Sequence, residues 1–208
     1  MAMGMNLVNE GAEAKIYETL VFGKSILVKV RQPKAYRVKE LDTSIRISRT
    51  RKEAHAMLLA RSKGAKVPAV LAYGKYEIYM EKAEGVLLRD ILSSADKHVF
   101  EQAGRELGKL HNAGIAHGDF TPANILVSSS KNSKNSKITI IDFGLSTFTS
   151  SEEEQALDVL LMKRSIGKDQ FSSFLAGYSS YAKSGVVLSK LAEIEKRGRY
   201  QSRTLSNA

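Results

Sequence analysis

Two short stretches hold residue types at spacings suited to phosphoryl transfer. His117-Gly118-Asp119-Phe120-Thr121-Pro122-Ala123-Asn124 comes first, and Asp142-Phe143-Gly144 begins eighteen residues after Asn124. Phosphoryl transfer asks little covalent work of a protein. It needs positioned metal, neutralised phosphate charge and an oriented nucleophile. Asp119 can orient an attacking hydroxyl or water and accept its proton. Asn124 can ligate Mg²⁺ through its amide oxygen, and Asp142 brings a carboxylate that bridges metal and phosphates. Mg²⁺ prefers hard oxygen ligands and takes few from protein, so Asn124 and Asp142 suffice as a metal pair, with Mn²⁺ as the other ion they suit. Taken singly, an Asp before a loop is a turn or a cap, and Asp-Phe-Gly is a strand end. An H-x-D-x-x-x-x-N loop, an apolar strand and a second strand ending in Asp-Phe-Gly make a specific composite.

Upstream, Lys29 closes the run Ile26-Leu27-Val28 and can reach the α- and β-phosphates of ATP. Glu53 can pair with it and hold it extended. As an ordinary surface pair the two would contribute little; beside the downstream composite they are read with Asp119 as catalytic. The stretch from Asn9 to Tyr17, with its single Gly11, stands where a phosphate-covering loop belongs. It signals by position only. The expected nucleotide set is Gly11, Ala12, Glu13, Ala14, Lys29, Met80, Glu81, Asn124 and Asp142.

These residues need elements to hold them. Ala14–Leu20 and Ser25–Val30 carry β-branched and aromatic residues around a turn at Phe22-Gly23-Lys24. Thr50–Ser62 reads as a helix with Ala54, Met57 and Leu58 on one stripe and Gly64 as its stop. Val67–Gly74 and Glu77–Glu81 read as strands. Leu87–Ser94 reads as a short helix, and His98–Asn112 as a longer one burying Val99, Ala103, Leu107 and Leu110. Asn124–Val127 and Ile138–Ile141 are short apolar strands around a polar, low-complexity loop from Ser128 to Lys137, expected to be mobile and given no function. Helices follow over Glu152–Ile166, Gln170–Lys183 and Val187–Arg197. Phe171, Phe174, Leu175 and Tyr178 are read as core in preference to a partner-docking face.

With 208 residues, 43% hydrophobic and 26% charged, the chain can bury a substantial core. No apolar run reaches the length of a membrane span, and Met1–Val8 is not a signal peptide. The absence of cysteine excludes disulfides and thiolate metal sites and fits a cytoplasmic protein. The formal net charge is +10. Lys24–Lys52 holds ten Lys/Arg against Glu40 and Asp42, and the stretch from Lys196 adds Arg197, Arg199 and Arg203 without an acid. Such blocks suit a polyanionic partner such as nucleic acid, and equally a solvated basic face.

Together the motifs resemble the protein-kinase superfamily. More closely, the chain is similar to the small kinase-like subunit of the KEOPS complex, which serves threonylcarbamoyladenosine modification of tRNA. The matching features include Arg49-Thr50-Arg51-Lys52-Glu53-Ala54, His117-Gly118-Asp119 and Asp142-Phe143-Gly144-Leu145-Ser146, which other kinase-like families share; the narrowing ones are Glu10-Gly11-Ala12-Glu13-Ala14, Tyr36-Arg37 followed by Glu40-Leu41-Asp42, and the basic tail with Arg197-Gly198-Arg199. The resemblance implies an α+β, minimal bilobal kinase-like fold. Residues 1–81 would be a β-rich N-terminal lobe with one main helix. Residues 82–208 would be a small, mostly helical C-terminal lobe with a basic tail, hinged at Lys82-Ala83-Glu84-Gly85. It further implies ATP hydrolysis with Mg²⁺, autophosphorylation on Ser/Thr, and direct binding to the KEOPS modifying subunit (a threonylcarbamoyltransferase-type protein), to other KEOPS subunits and to tRNA through the basic surface and tail. Gly118 stands where signalling kinases usually carry Arg. Seven residues separate Gly144 from Glu152, and no Ala-Pro-Glu follows, so a long activation segment is not expected. A RIO-type or aminoglycoside-type phosphotransferase and a non-catalytic RNA-binding scaffold are the competing readings.

Overall fold

The computed structural model describes residues 4–128 and 136–205, with side chains described as far as Arg197. Most of the loop expected to be mobile, and Arg199 and Arg203 of the basic tail as side chains, lie outside the described residues. Asn6–Glu10 (β1), Ala14–Val21 (β2) and Lys24–Arg31 (β3) form successive antiparallel pairs. Val70–Tyr73 (β4) and Glu77–Glu81 (β5) complete a five-stranded sheet in the order β1-β2-β3-β5-β4. Alternation on β3 matters most for the site. Ile26 and Val28 are buried on one face, and Lys29 and Arg31, two residues apart, share the other. β1 has no buried residue, and its pattern carries no inward alternation that sequence could reveal.

One long helix, Lys39–Ser62 (α1), crosses the sheet and buries Thr50, Glu53, Ala54, Met57 and Ala60. It begins eleven residues before the expected start at Thr50. Its first turns carry charge in place of an apolar stripe and are held by Asp42, which accepts from Arg46 Nε at 2.6 Å and from the Lys34 backbone N–H at 3.2 Å. Ala54 and Met57 of the expected stripe are buried, but Leu58 is exposed, and Glu53 and Ala60 join the buried line in its place.

Past β5 the chain becomes mostly helical. Lys97–Asn112 (α2) is capped by Asp96, whose carboxylate accepts the His98 N–H at 2.8 Å. All four apolar residues expected on its inner face are buried. Val86–Leu87 (β6), Ile125–Ser128 (β8) and Lys137–Ile140 (β9) form a small sheet, and Ile115–Ala116 (β7) pairs with Thr147–Phe148 (β10). The segment expected as a helix from Leu87 forms only a 3₁₀ turn over Leu88–Ile91. Glu152–Ser165 (α3), Lys168–Tyr178 (α4) and Ser184–Leu205 (α5) complete the fold. α4 stops five residues short of the expected Lys183, because Ser180 and Tyr181 turn back onto the carbonyls of Gly177 and Tyr178.

One apolar core joins α1 and β5 to α2, β8, β9 and α4. Phe174 and Tyr178 are fully buried in it, with Phe171 and Leu175 packed against them, as their spacing predicted. The α+β, two-part, kinase-like architecture read from the motifs is thus the observed one. Among the described residues no helix is long and apolar enough to cross a membrane.

Candidate active site

The loop after β7 carries His117, Gly118 and Asp119, and the 3₁₀ turn Pro122–Asn124 leads into β8. His117 is fully buried, between the rings of Phe120 and Phe143. Its Nδ1 accepts the Asp119 N–H at 3.3 Å, so Nε2 carries the proton donated to the Ile141 carbonyl at 3.2 Å. Burial pushes the imidazole pKa below its ordinary value, against the pull of the Asp158, Asp142 and Asp119 carboxylates. Asn124 Nδ2 donates to the Asp119 side chain and carbonyl, both at 2.8 Å. The amide oxygen is then the Asn124 atom suited to a metal.

Beneath this loop sits Asp158 of α3, fully buried. It accepts the backbone N–H groups of His117 at 2.6 Å and Gly118 at 2.8 Å. His111 Nε2, whose Nδ1 is 2.7 Å from the Tyr178 hydroxyl, lies 3.2 Å from the same carboxylate. Sequence reading missed Asp158. It is a single acid within a helix, and the groups it binds lie some forty residues upstream.

On the opposite wall, oppositely charged side chains alternate in a chain. Arg49 of α1 pairs with Glu13 of the loop between β1 and β2. Glu13 also meets Arg31 Nη1 at 3.3 Å, and Arg31 Nη2 meets Glu53 Oε2 at 2.6 Å. Glu53 Oε1 accepts from Lys29 at 2.6 Å, and Lys29 reaches Asp142 Oδ1 at 2.8 Å. Burial alone would lower the Lys29 pKa, but Glu53 and Asp142 more than offset it and hold the ammonium protonated. Partial burial likewise raises the Asp142 carboxyl, yet Lys29 and the Gly144 N–H bring it below the usual Asp value. The Arg49 hydrogen bond is the main cause holding Glu13 ionised. Arg31 was absent from the expected set. Its position two residues after Lys29 on one strand was the available signal.

Gly11, Ala12, Glu13, Ala14, Lys29, Arg31, Asp142 and Gly144 line a cavity of about 250 Å³. Met80 and Glu81 are not among its lining residues. Met80 packs in the core, and Glu81 accepts the Ala69 N–H at 3.1 Å with Arg61 at 3.6 Å. Asp119, Asn124 and Asp142 come from the two motifs on the helical side. Among the described residues no group of three His or acidic side chains is clustered to hold a metal by itself. An amide oxygen on Asn124 and a carboxylate on Asp142 are hard donors in the small number that Mg²⁺ takes from protein, so the residues present fit that ion.

Comparison with known proteins shows the family to which the chain is similar. The protein kinase domain model matches residues 16–173. The chain is 39% identical over 92% of its length to the "Probable serine/threonine-protein kinase BUD32 homolog" of Archaeoglobus fulgidus, covering 94% of that protein. It is 35% identical to the "KEOPS complex subunit Bud32" of Pyrococcus abyssi, covering 96% of this chain and 98% of that one. A "Probable bifunctional tRNA threonylcarbamoyladenosine biosynthesis protein" of Methanobrevibacter smithii is 34% identical over 94% of this chain, a match that spans 37% of that longer protein. The Rio2 kinase of Chaetomium thermophilum, solved as an ADP/Mg²⁺-phosphoaspartate complex, superposes with a TM-score of 0.70 at 19% identity, over 98% of this chain and 72% of that one. This last likeness is one of fold alone.

Proposed function

Because this chain belongs to the protein kinase domain family and to its Bud32 group, we propose that it is an ATP-dependent atypical kinase and ATPase serving threonylcarbamoyladenosine modification of tRNA within a KEOPS complex. The observation that carries the chemistry is Lys29, held between Glu53 at 2.6 Å and Asp142 at 2.8 Å beside the Gly11–Ala14 loop. Residues 1–81 and 82–208 are taken as the two lobes that close on ATP. Lys29 moves from Asp142 to the α- and β-phosphates, while Glu53 keeps it extended. The Gly11–Ala14 loop covers the phosphates, with the Gly11 N–H kept on the Ala14 carbonyl at 2.9 Å. Mg²⁺, when bound by Asn124 and Asp142, supplies neutralisation of phosphate charge. Asp119, oriented by Asn124, accepts the proton of the attacking water or of a Ser/Thr hydroxyl. The γ-phosphoryl passes to that oxygen and ADP leaves.

Two features favour hydrolysis or autophosphorylation over a broad protein-kinase role. Only seven residues separate Gly144 from α3, and Thr147 and Phe148 among them are paired with β7. A peptide-docking platform has little chain from which to form. The partner is taken to be a protein of the kind joined to the kinase-like sequence in the Methanobrevibacter relative. Exposed Lys39, Arg51 and Lys52 on α1 supply a face for tRNA phosphates; Lys29, Arg31, Arg46 and Arg49 are engaged in internal ion pairs.

The test is phosphate release from ATP with Mg²⁺ by the chain alone, then with tRNA and the modifying subunit, with Asp142→Ala as control. Turnover that rises with the partners and disappears in Asp142→Ala supports the proposal. ATP binding without turnover under every condition overturns it in favour of a scaffold.

A further inference from the structure

Glu53 is 2% exposed, and each of its carboxylate oxygens has its own cation: Lys29 on Oε1 and Arg31 on Oε2. Lys29 is the residue that must turn to the phosphates. Lys29 reaches only Oε1 and must share its ammonium with the phosphates, so as the sole partner it would leave Oε2 buried without a cation, and an uncompensated buried charge is strongly destabilising. Arg31 stays charged at every relevant pH and presents a planar fork that can hold two carboxylates at once. It does so here, with Nη2 on Glu53 and Nη1 on Glu13. The second oxygen of Glu13 goes to Arg49, one helical turn before Glu53 on α1. Loop, strand and helix are thereby closed into a ring whose node is Arg31. Among the described residues the buried Arg31 Nε–H meets no acceptor, so the side chain is aimed by its two terminal nitrogens.

We propose that Arg31 is a positioning residue for phosphoryl transfer, holding Glu53 and the phosphate-covering loop in register while Lys29 engages the phosphates. This rests on the phosphotransfer reading above. It also assigns Glu13 a distinct part. The Glu13 carboxylate ties the loop to Arg31 and Arg49, and the loop backbone is left to face phosphate.

Three variants test this: Arg31→Lys, Arg31→Met and Glu13→Gln. Two measurements are made on each: kcat and KM for ATP, and amide hydrogen exchange over residues 10–14 and 49–56 in protein free of nucleotide and metal. A lysine keeps the charge but cannot span both carboxylates. Arg31→Lys is expected to keep the wild-type melting temperature, exchange faster over 10–14, and lose about tenfold in kcat with less than about a threefold rise in KM. Arg31→Met is expected to speed exchange over 49–56 as well. Adding Glu13→Gln to Arg31→Lys should speed loop exchange by less than the sum of the single changes, since the Glu13–Arg31 link is common to both and only the Glu13–Arg49 link remains to be lost. The proposal is overturned if Arg31→Lys matches wild type in kcat and KM, or if loop exchange is unchanged. Should the Arg31 variants fail to fold, Glu13→Gln decides, because its half-exposed side chain tolerates change. Wild-type protein that never turns over ATP would sink the phosphotransfer reading alone, and the exchange data would still judge the ring.

Discussion

The carboxylate of Asp158 accepts the Gly118 backbone N–H at 2.8 Å, so α3 holds the His117-Gly118-Asp119 loop from beneath. With the buried His117 N–H at 2.6 Å beside the part-buried Gly118 N–H, it satisfies two backbone donors at once. Asp158→Ala leaves both unpaired, and each buried unsatisfied donor costs about 1–3 kcal/mol. We expect a loss of about 3 kcal/mol or more, read by urea titration, with ATP turnover falling in the folded fraction. Asp158→Asn retains one acceptor and should lie between. A wild-type unfolding midpoint for Asp158→Ala would show that the loop holds itself.

Gly118 has φ of +80°, and a Cβ there would lie 2.4 Å from the Leu145 carbonyl oxygen. The glycine that stands in place of a signalling kinase's arginine thus has a steric reason. The short segment after Asp-Phe-Gly passes directly over it. Gly118→Ala meets both positive-φ strain and a backbone clash, together about 2–4 kcal/mol. Turnover should fall by at least about tenfold, because relief of the clash moves Asp119. A folded Gly118→Ala protein with wild-type kcat would contradict this.

How much of this was legible in sequence depended on whether the determinants are local. The His117–Asn124 loop and Asp142-Phe143-Gly144 could be read because each is a short string with fixed internal spacing. β2, β3 and β5 followed from β-branched runs bounded by turns. The first eleven residues of α1 were hidden because ion pairs around Asp42, with little apolar burial, hold them. Leu58 was placed inward by hydrophobicity, yet the ring of charges turns Glu53 inward and Leu58 out. Asp158 and Arg31 were missed for the same reason: their partners are distant in sequence, and neither residue type signals burial.

His117 gives a pH prediction. Its pKa in the fold lies below the ordinary 6.5, so below pH 6.5 the unfolded chain binds a proton that the folded one refuses. Its contribution is fully present above pH 6.5 and declines as pH falls toward the folded-state value. One such proton gives a slope of up to about 1.4 kcal/mol per pH unit. Urea unfolding between pH 7.5 and pH 5, by about half-unit steps, should show that decline. His117→Leu should be less stable at pH 7.5 but flatter across the same range. An equal slope in the variant would assign the acid sensitivity to other groups.

Gly104 of α2 and Gly177 of α4 let the two helix backbones meet. A Cβ on Gly177 would sit 1.9 Å from the Glu101 carbonyl oxygen, and one on Gly104 would sit 2.0 Å from that of Phe174. In an exposed helix, Gly→Ala stabilises by about 1 kcal/mol. Here the obstacle is backbone on both sides, which cannot rotate away, so the helices must separate and the stacked rings of Phe174 and Tyr178 must shift with them. Overpacking of this kind costs about 1–3 kcal/mol, sometimes more. Gly177→Ala should therefore lower the melting temperature by about 5–10 °C, the opposite sign from helix propensity. One separation relieves both clashes, so Gly104→Ala combined with Gly177→Ala should cost clearly less than the sum of the single changes. Additive losses would mean that the two contacts yield independently, and a raised melting temperature in either single variant would mean that the helices are not in backbone contact.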